Sequence, residues 1–360
     1  MIKSCSTLTD KDKGEMRELL LAWYDAEGRT LPWRVRPEDR AAGKTADPYA
    51  VWLSEIMLQQ TTVPHGTPYW HKFLETFPTV TDLANAPRET VLGLWAGLGY
   101  YARARNLHKC AQIIRDDYGG VFPETEKELL KLPGIGAYTA ATMAAICFDE
   151  ATNIVDGNVE RVISRIFAVQ TPLPKGRKEL RIRAGEVAPP QRAGDYGQAL
   201  MDLGATVCTP RSPACECCVW QNYCAAYVAG TQTDYPKKAP KKKQPIRYGA
   251  VFLAENQGAF LVETRPDQGL LGGMLGLPGT DWESEPVEQP LQFAPFSSDW
   301  DRLDGFVRHV FTHFELRLDV YRTSVEMTDV PKGHNGLWIK GENIKTLPSV
   351  FQKAVKHKGV

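Results

Sequence analysis

Apolar side chains recur every three or four residues through most of the first 230 positions and every second residue in places after 247. That change of period predicts a helical unit followed by one that carries strands. The first helix lies within residues 1–30, with Met16, Leu19, Leu20 and Trp23 at helical spacing. Leu31-Pro32-Trp33-Arg34 breaks it, and 35–46 reads as a loop. Asp47-Pro48 then supplies an N-cap and a first-turn proline for a helix running to Gln60. Residues 67–118 read as helical apart from turns at 77–78 and 85–87, and the pattern continues through 126–147, 162–169 and 196–207. From Tyr248 it becomes strand-like, at 250–254 and 260–264. The most regular strand expected is 306–321. Its alternation sets Val310, Phe314, Leu316, Leu318 and Val320 on one face and His309, Phe311, His313, Glu315, Arg317 and Asp319 on the other.

Length supports the two-domain division, since 360 residues is long for one domain. Neither an N-terminal export signal nor a membrane-length apolar run stands out, so a soluble, cytoplasmic protein is expected. The formal net charge is zero, which taken alone argues against a nucleic-acid partner. The distribution changes that picture: Lys237, Lys238, Lys241, Lys242, Lys243 and Arg247 crowd 231–247 against Asp234 alone. This tract reads equally as a solvated linker or as a phosphate contact. The eight cysteines should be reduced in such a compartment. Four of them, Cys208, Cys215, Cys218 and Cys224, follow the spacing C-x6-C-x2-C-x5-C, which suits a soft metal centre, either zinc or iron-sulfur.

Three further stretches carry candidate chemistry. The turn Leu132-Pro133-Gly134-Ile135-Gly136 lets backbone approach a ligand, and N–H groups at the start of the next helix suit an anionic oxygen. Twenty residues after Gly136, Asp156 sits in a short polar break, as an N-cap or as a carboxylate aimed at what the turn holds. Glu55 interrupts the greasy helix before Gln60 and shares a face with Trp52, Ile56 and Gln59, so partial desolvation should raise its pKa. Pairing with a buried arginine is the alternative. Gly97-Leu98-Gly99-Tyr100-Tyr101-Ala102-Arg103-Ala104-Arg105 joins a pliant backbone to aromatics and arginines, fit for stacking and phosphate contact or for an ordinary helix start.

With these residues placed, the first 230 positions resemble the helix-hairpin-helix DNA glycosylases of the endonuclease III superfamily, and the MutY-type adenine glycosylases within it. The resemblance rests on Leu31 to Arg34, the run from Trp52 to Thr61, Gly97 to Tyr101, Val155-Asp156-Gly157-Asn158, the cysteine spacing and Phe311-Thr312-His313. It implies an all-α glycosylase domain over 1–230 with a cluster loop at 208–224, a basic linker at 231–247, and an α/β Nudix-like domain over 248–360. It further implies a 4Fe-4S cluster on the four cysteines, and a monomeric, nucleoid-associated enzyme that releases adenine mispaired with 8-oxoguanine or guanine in duplex DNA.

By the same resemblance Glu55 matches the catalytic acid, Asp156 its partner carboxylate, and Tyr138 and Asn158 their supports. Gln60 matches a residue wedged into the base stack. Arg34, Tyr100, Tyr101, Leu132, Gly134 and Gly136 fall among the DNA contacts, and Phe311, Thr312 and His313 match the element that senses 8-oxoguanine. Two departures stand out: Thr312 replaces the family's usual serine, and the 35–46 loop is longer than usual. Bifunctional relatives place a Schiff-base lysine where this chain has Tyr138, which implies hydrolysis without strand cleavage. Gly272-Gly273-Met274-Leu275-Gly276-Leu277-Pro278-Gly279 looks Nudix-like, but the Glu-rich magnesium helix of Nudix hydrolases does not follow it.

Overall fold

The computed structural model describes residues 8–240, 244–266, 269–326 and 336–357. It divides into a unit from Met1 to Pro240 and a second from Lys241 to Val360. In the first unit α1 (Asp10–Glu27), α2 (Pro37–Ala41), α3 (Pro48–Met57), α4 (Val63–Thr76), α5 (Val80–Asn85), α6 (Arg88–Leu94) and α7 (Ala102–Tyr118) come first. They are followed by α8 (Glu126–Leu129), α9 (Ala137–Phe148), α10 (Gly157–Ile166), α11 (Arg177–Val187), α12 (Ala193–Asp202) and α13 (Ala225–Val228).

Two apolar cores organise these helices. One gathers Met16, Leu20 and Tyr24 of α1 with Val159, Val162 and Ile163 of α10 and Leu200 of α12. The other gathers Trp52 and Leu53 of α3 with Phe73, Leu107 and Ile114. Helix α9 serves both, giving Met143 and Ala144 to the second and Ala145 and Ile146 to the first. Its small side chains allow this: eight of its twelve residues are buried. The seam between the cores runs past α9, where α3 and α10 each present a carboxylate.

Several local expectations shift. In α1 the buried stripe is Met16, Leu20 and Tyr24, spaced by four, which leaves Leu19 exposed. The 35–46 stretch holds the short helix α2, opened by Pro37 and preceded by a buried Arg36 whose guanidinium donates to the carbonyls of Tyr24 and Asp25. Helix α3 is capped by Asp47, which accepts from Tyr49 N as its position foretells, but it ends at Met57. Gln60 therefore lies beyond the helix, in the left-handed region at φ 59°.

The stretch 231–247 does not behave as one linker. Tyr235 is buried, and Leu173 and Lys238 form a bridge in which Leu173 N donates to Lys237 O and Ala239 N to Leu173 O. These bonds tie 235–239 to the helical unit, since an extended backbone beside another can satisfy its polar groups only by pairing. Lys241, Lys242 and Lys243 of the basic tract lie outside the described residues.

The second unit is built on a seven-stranded sheet of β1 (Ile246–Asn256), β2 (Ala259–Thr264), β3 (Leu275–Gly276), β4 (Asp301–Arg302), β5 (Val307–Val310), β6 (Glu315–Ser324) and β7 (Gly336–Lys340). Strand order is β3-β2-β1-β6-β4, with β5 also on β6 and β7 also on β2. Only β1 and β6 run parallel among the described pairs, in register from Ile246 opposite Glu315 to Glu255 opposite Ser324. Helix α14 (Ser349–Lys356) packs Val350, Phe351 and Ala354 onto one face. After Gly279 the chain runs to β4 with one 3-10 turn, Pro290–Phe293.

The expected strand 306–321 is instead a hairpin. Strand β5 pairs antiparallel with β6, and 311–314 form the turn, closed by Phe311 N donating to Phe314 O at 2.9 Å. The turn breaks the alternation: Val307 faces the core and Val310 is exposed, whereas Phe314, Leu316, Leu318 and Val320 are buried.

Candidate active site

Glu55 is the one charged residue in the ten of α3. It projects into a cleft of about 330 Å³ whose walls include Arg34, Tyr138, Asp156, Asn158, Gln198 and Met201. That volume is in the range of small-ligand sites. Burial pushes the Glu55 carboxyl from its ordinary 4.5 to about 7; the Tyr138 phenol and the Arg34 charge pull it back, and Asp156 pushes it further up. The Tyr138 hydroxyl shares the cleft with that carboxyl, whose charged form it favours, and donates to Met201 Sδ at 3.4 Å. Burial, reinforced by the charges of Glu55 and Asp156, holds the phenol well above its usual range. Tyr138 is thus a proton-bearing donor at neutral pH.

Asp156 is the N-cap of α10. Its Oδ1 accepts from Val159 N at 2.7 Å and its Oδ2 from Asn158 Nδ2 at 2.8 Å. Two N–H donors therefore fix the carboxylate plane. Asn158 is held in turn, its Oδ1 accepting from Arg161 Nη2 at 2.8 Å. The same guanidinium donates to Gly204 O at 2.7 Å and to Cys208 O at 2.8 Å. Gly204 lies in a π-helical turn, Leu203–Val207, where an added Cβ would meet Asn158 Cβ at 2.6 Å. One run of contacts thus leads from Asp156 to the start of the cysteine loop.

The four cysteines at the expected spacing line one largely apolar pocket, together with Val162, Ile166 and Leu203. Among the described residues no group of three or more His, Cys, Asp or Glu side chains is drawn together as an ion site, and the four sulfurs are brought together only as lining of this pocket. Arg165, 1 % exposed, donates to the carbonyls of Thr209 (2.8 Å) and Pro210 (3.0 Å) and stands 3.2 Å from Cys208 Sγ. A buried cation beside the sulfurs suits an anionic group held by thiolates. Cys217 is exposed and is not among the pocket's lining residues.

Two family profiles match the chain: "HhH-GPD superfamily base excision DNA repair protein" over 53–190 and "NUDIX domain" over 250–357. Human adenine DNA glycosylase is 36% identical over 391 aligned residues, covering 92% of this chain and 71% of that protein. The corresponding protein of Buchnera aphidicola, from the pea aphid strain, is 31% identical, with 94% and 96% covered. The chain belongs to the adenine DNA glycosylase family. A thermostable thymine-DNA glycosylase has the same helical fold, at 30% identity and a TM-score of 0.54, covering 61% of this chain and 98% of its own.

As a member of this family the protein is a base-excision repair enzyme that acts on DNA and hydrolyses N-glycosyl bonds. Four of the expected DNA contacts, Gln60, Tyr100, Gly134 and Gly136, are exposed. Tyr100 is 58% exposed and Gln60 is exposed, both with positive φ, at 49° and 59°. Gly134 adopts φ 80°, and a Cβ there would meet Asn106 Cβ at 2.7 Å. Gly136 is the N-cap of α9, and a Cβ on it would meet nothing in this chain, so the backbone there lies open to solvent.

Three expectations need correction, those for Leu132, Arg34 and Arg103. Leu132 is 3% exposed and belongs to the core, so its side chain anchors the turn and does not reach DNA. Arg34 is buried on Asp202 in a two-pronged pair, Nη1 to Oδ2 at 2.8 Å and Nη2 to Oδ1 at 3.0 Å, which makes it a cleft wall and not a phosphate ligand. Tyr101, half-buried, is the N-cap residue of α7. Arg103 is likewise no phosphate ligand: its guanidinium donates to the carbonyls of Ile56 and Met57 at the end of α3 and of Leu98 and Gly99. It thereby fastens the Tyr100 loop to the end of the helix that bears Glu55.

Sequence reasoning passed over Asp202, Arg29, Gln198, Met201 and Arg161. Asp202 carries a signal related to that of Glu55, an acid at the end of the apolar run Ala199-Leu200-Met201; it is fully buried, bonded to Arg29 and Arg34. In the second unit Thr312 and His313 are exposed at the hairpin tip, whereas Phe311 is only half exposed.

Proposed function

We propose that the enzyme is monofunctional and removes adenine lying opposite 8-oxoguanine or guanine in duplex DNA, with Glu55 as acid and Asp156 as stabilising anion. The observation that carries this reading is the facing pair in one cleft: a carboxyl pushed by burial to about 7 and a second held by two N–H donors. Glu55 gives its proton to the flipped adenine, and the electrons of the glycosidic bond leave with the base. The sugar becomes an oxocarbenium ion. A carboxylate about 4 Å away stabilises it by roughly 4 kcal/mol at an effective dielectric of 20. Water adds to the sugar and returns a proton to Glu55, in the manner of a glycoside hydrolase. Tyr138 orients Glu55, and Asn158 orients Asp156.

Tyr138 stands where a lyase would carry its amine, and a phenol held protonated by burial forms no Schiff base. The backbone around Gly134 and Gly136 is the phosphate clamp, with Gln60 and Tyr100 beside the opened base step. Cys208, Cys215, Cys218 and Cys224 fit a 4Fe-4S cluster, whose binding would brace the 208–224 loop. The Phe311-Thr312-His313 turn reads 8-oxoguanine.

Duplexes with adenine opposite 8-oxoguanine or guanine, incubated with the protein and split into samples with and without hot alkali, test this. Strand breaks should appear only after alkali and form faster opposite 8-oxoguanine. Breaks without alkali would reject monofunctional hydrolysis, and equal rates would reject the reading of the oxidised base.

A further inference from the structure

The 311–314 turn is held by residues that the sequence pattern did not single out. Gln244, the first described residue ahead of β1, donates from its single Nε2 to the carbonyls of both Phe311 (3.1 Å) and Thr312 (2.9 Å). Side-chain packing holds the turn as well. The Phe311 ring stacks on Trp282 with centroids 5.4 Å apart and planes 27° apart, and it meets His309 at 4.6 Å and Phe314 at 5.1 Å. The Arg265 guanidinium lies over the Trp282 ring, 5.0 Å from its centroid. Trp282 also meets Phe314, at 6.3 Å, so both aromatic residues of the turn rest on one indole.

A ring with three aromatic neighbours cannot enter a base stack without giving them up, and each such contact has a preferred geometry to lose. Thr312 and His313, which follow it, are exposed and carry the polar groups. We infer that Phe311 is the anchor of this turn and not its reader, and that Gln244 and Trp282 are positioning residues that set Thr312 and His313 for the base opposite adenine. This rests on the 8-oxoguanine reading above.

The chemistry of the strap makes it testable, because two carbonyl oxygens accept only from a donor. Gln244→Glu has nearly the same shape but offers acceptors, whereas Gln244→Lys keeps N–H donors. Trp282→Ala removes the stacking surface and Trp282→Phe retains one. The measurement is the single-turnover rate of adenine release by the full chain, opposite 8-oxoguanine and opposite guanine, with thermal unfolding followed alongside. Gln244→Glu and Trp282→Ala should each lower the ratio of the two rates by roughly three- to tenfold, the size expected for losing hydrogen bonds or an aromatic contact at a partly exposed site. The drop should come from the 8-oxoguanine arm, and Gln244→Lys and Trp282→Phe should restore most of it. If both arms slow equally, or the ratio holds in Gln244→Glu and Trp282→Ala while His313→Ala lowers it, the positioning role is wrong and the reading of the turn survives. If Thr312→Ala and His313→Ala also leave the ratio unchanged, the reading itself falls.

Discussion

Replacing Glu55 with glutamine should make the protein inactive and, at alkaline pH, more stable. The carboxyl is pushed by burial from 4.5 to about 7, so the folded state binds its proton more tightly than the unfolded chain does. A raised pKa contributes stability that is complete below the unfolded value and is lost as pH rises through the folded one. Above pH 7 the native enzyme therefore carries a destabilising carboxylate. A shift of some 2.5 units, at about 1.4 kcal/mol each, sets its size at roughly 3 kcal/mol. Glutamine keeps the shape and cannot ionise. Urea unfolding of both proteins, followed by tryptophan fluorescence, should show the variant pulling ahead by about 2–3 kcal/mol between pH 5 and pH 8. Adenine release should drop by two to four orders of magnitude, as loss of a general acid entails. A stability gap independent of pH, or a variant less stable at pH 8, would refute the burial of Glu55 as the source of its proton affinity.

Tyr138→Phe removes a donor to ionised Glu55, so the Glu55 pKa should rise further. The alkaline limb of the single-turnover pH profile, set near 7 in the native enzyme, should then move up by about one unit, given roughly 1.5 kcal/mol for a hydrogen bond to a charge. A limb that stays or moves down contradicts the contact. Gly134→Ala places an L-residue at φ 80° against Asn106. It should lower stability by about 1–2 kcal/mol in chemical denaturation and weaken duplex binding, whereas Gly136→Ala, with open space around it, should leave stability alone and weaken binding only.

What the chain shows by itself is local. The switch of hydrophobic period marks the two units, the lone acid in an apolar helix marks Glu55, and a polar break before an apolar run marks Asp156 as the cap it proves to be. The cysteine spacing brings four sulfurs to one pocket because a short loop leaves few other choices. These survive because propensity, capping and short-range spacing are settled within a few turns of chain. Tertiary structure decided the rest. Whether Leu132 faces core or DNA depends on the second core across the turn, which is made of residues distant in sequence. Arg34 binds Asp202, 168 residues away, and Arg103 caps the α3 end, 47 positions before it. Nothing in the sequence around an arginine says which carboxylate or carbonyl folding will bring to it. Alternation through 306–321 likewise runs smoothly across a turn, because period two records which residues alternate and not where the chain reverses. Sequence placed the two carboxylates; only the tertiary packing that sets α3 and the start of α10 beside Tyr138 of α9 turned them toward one cleft and gave them different surroundings.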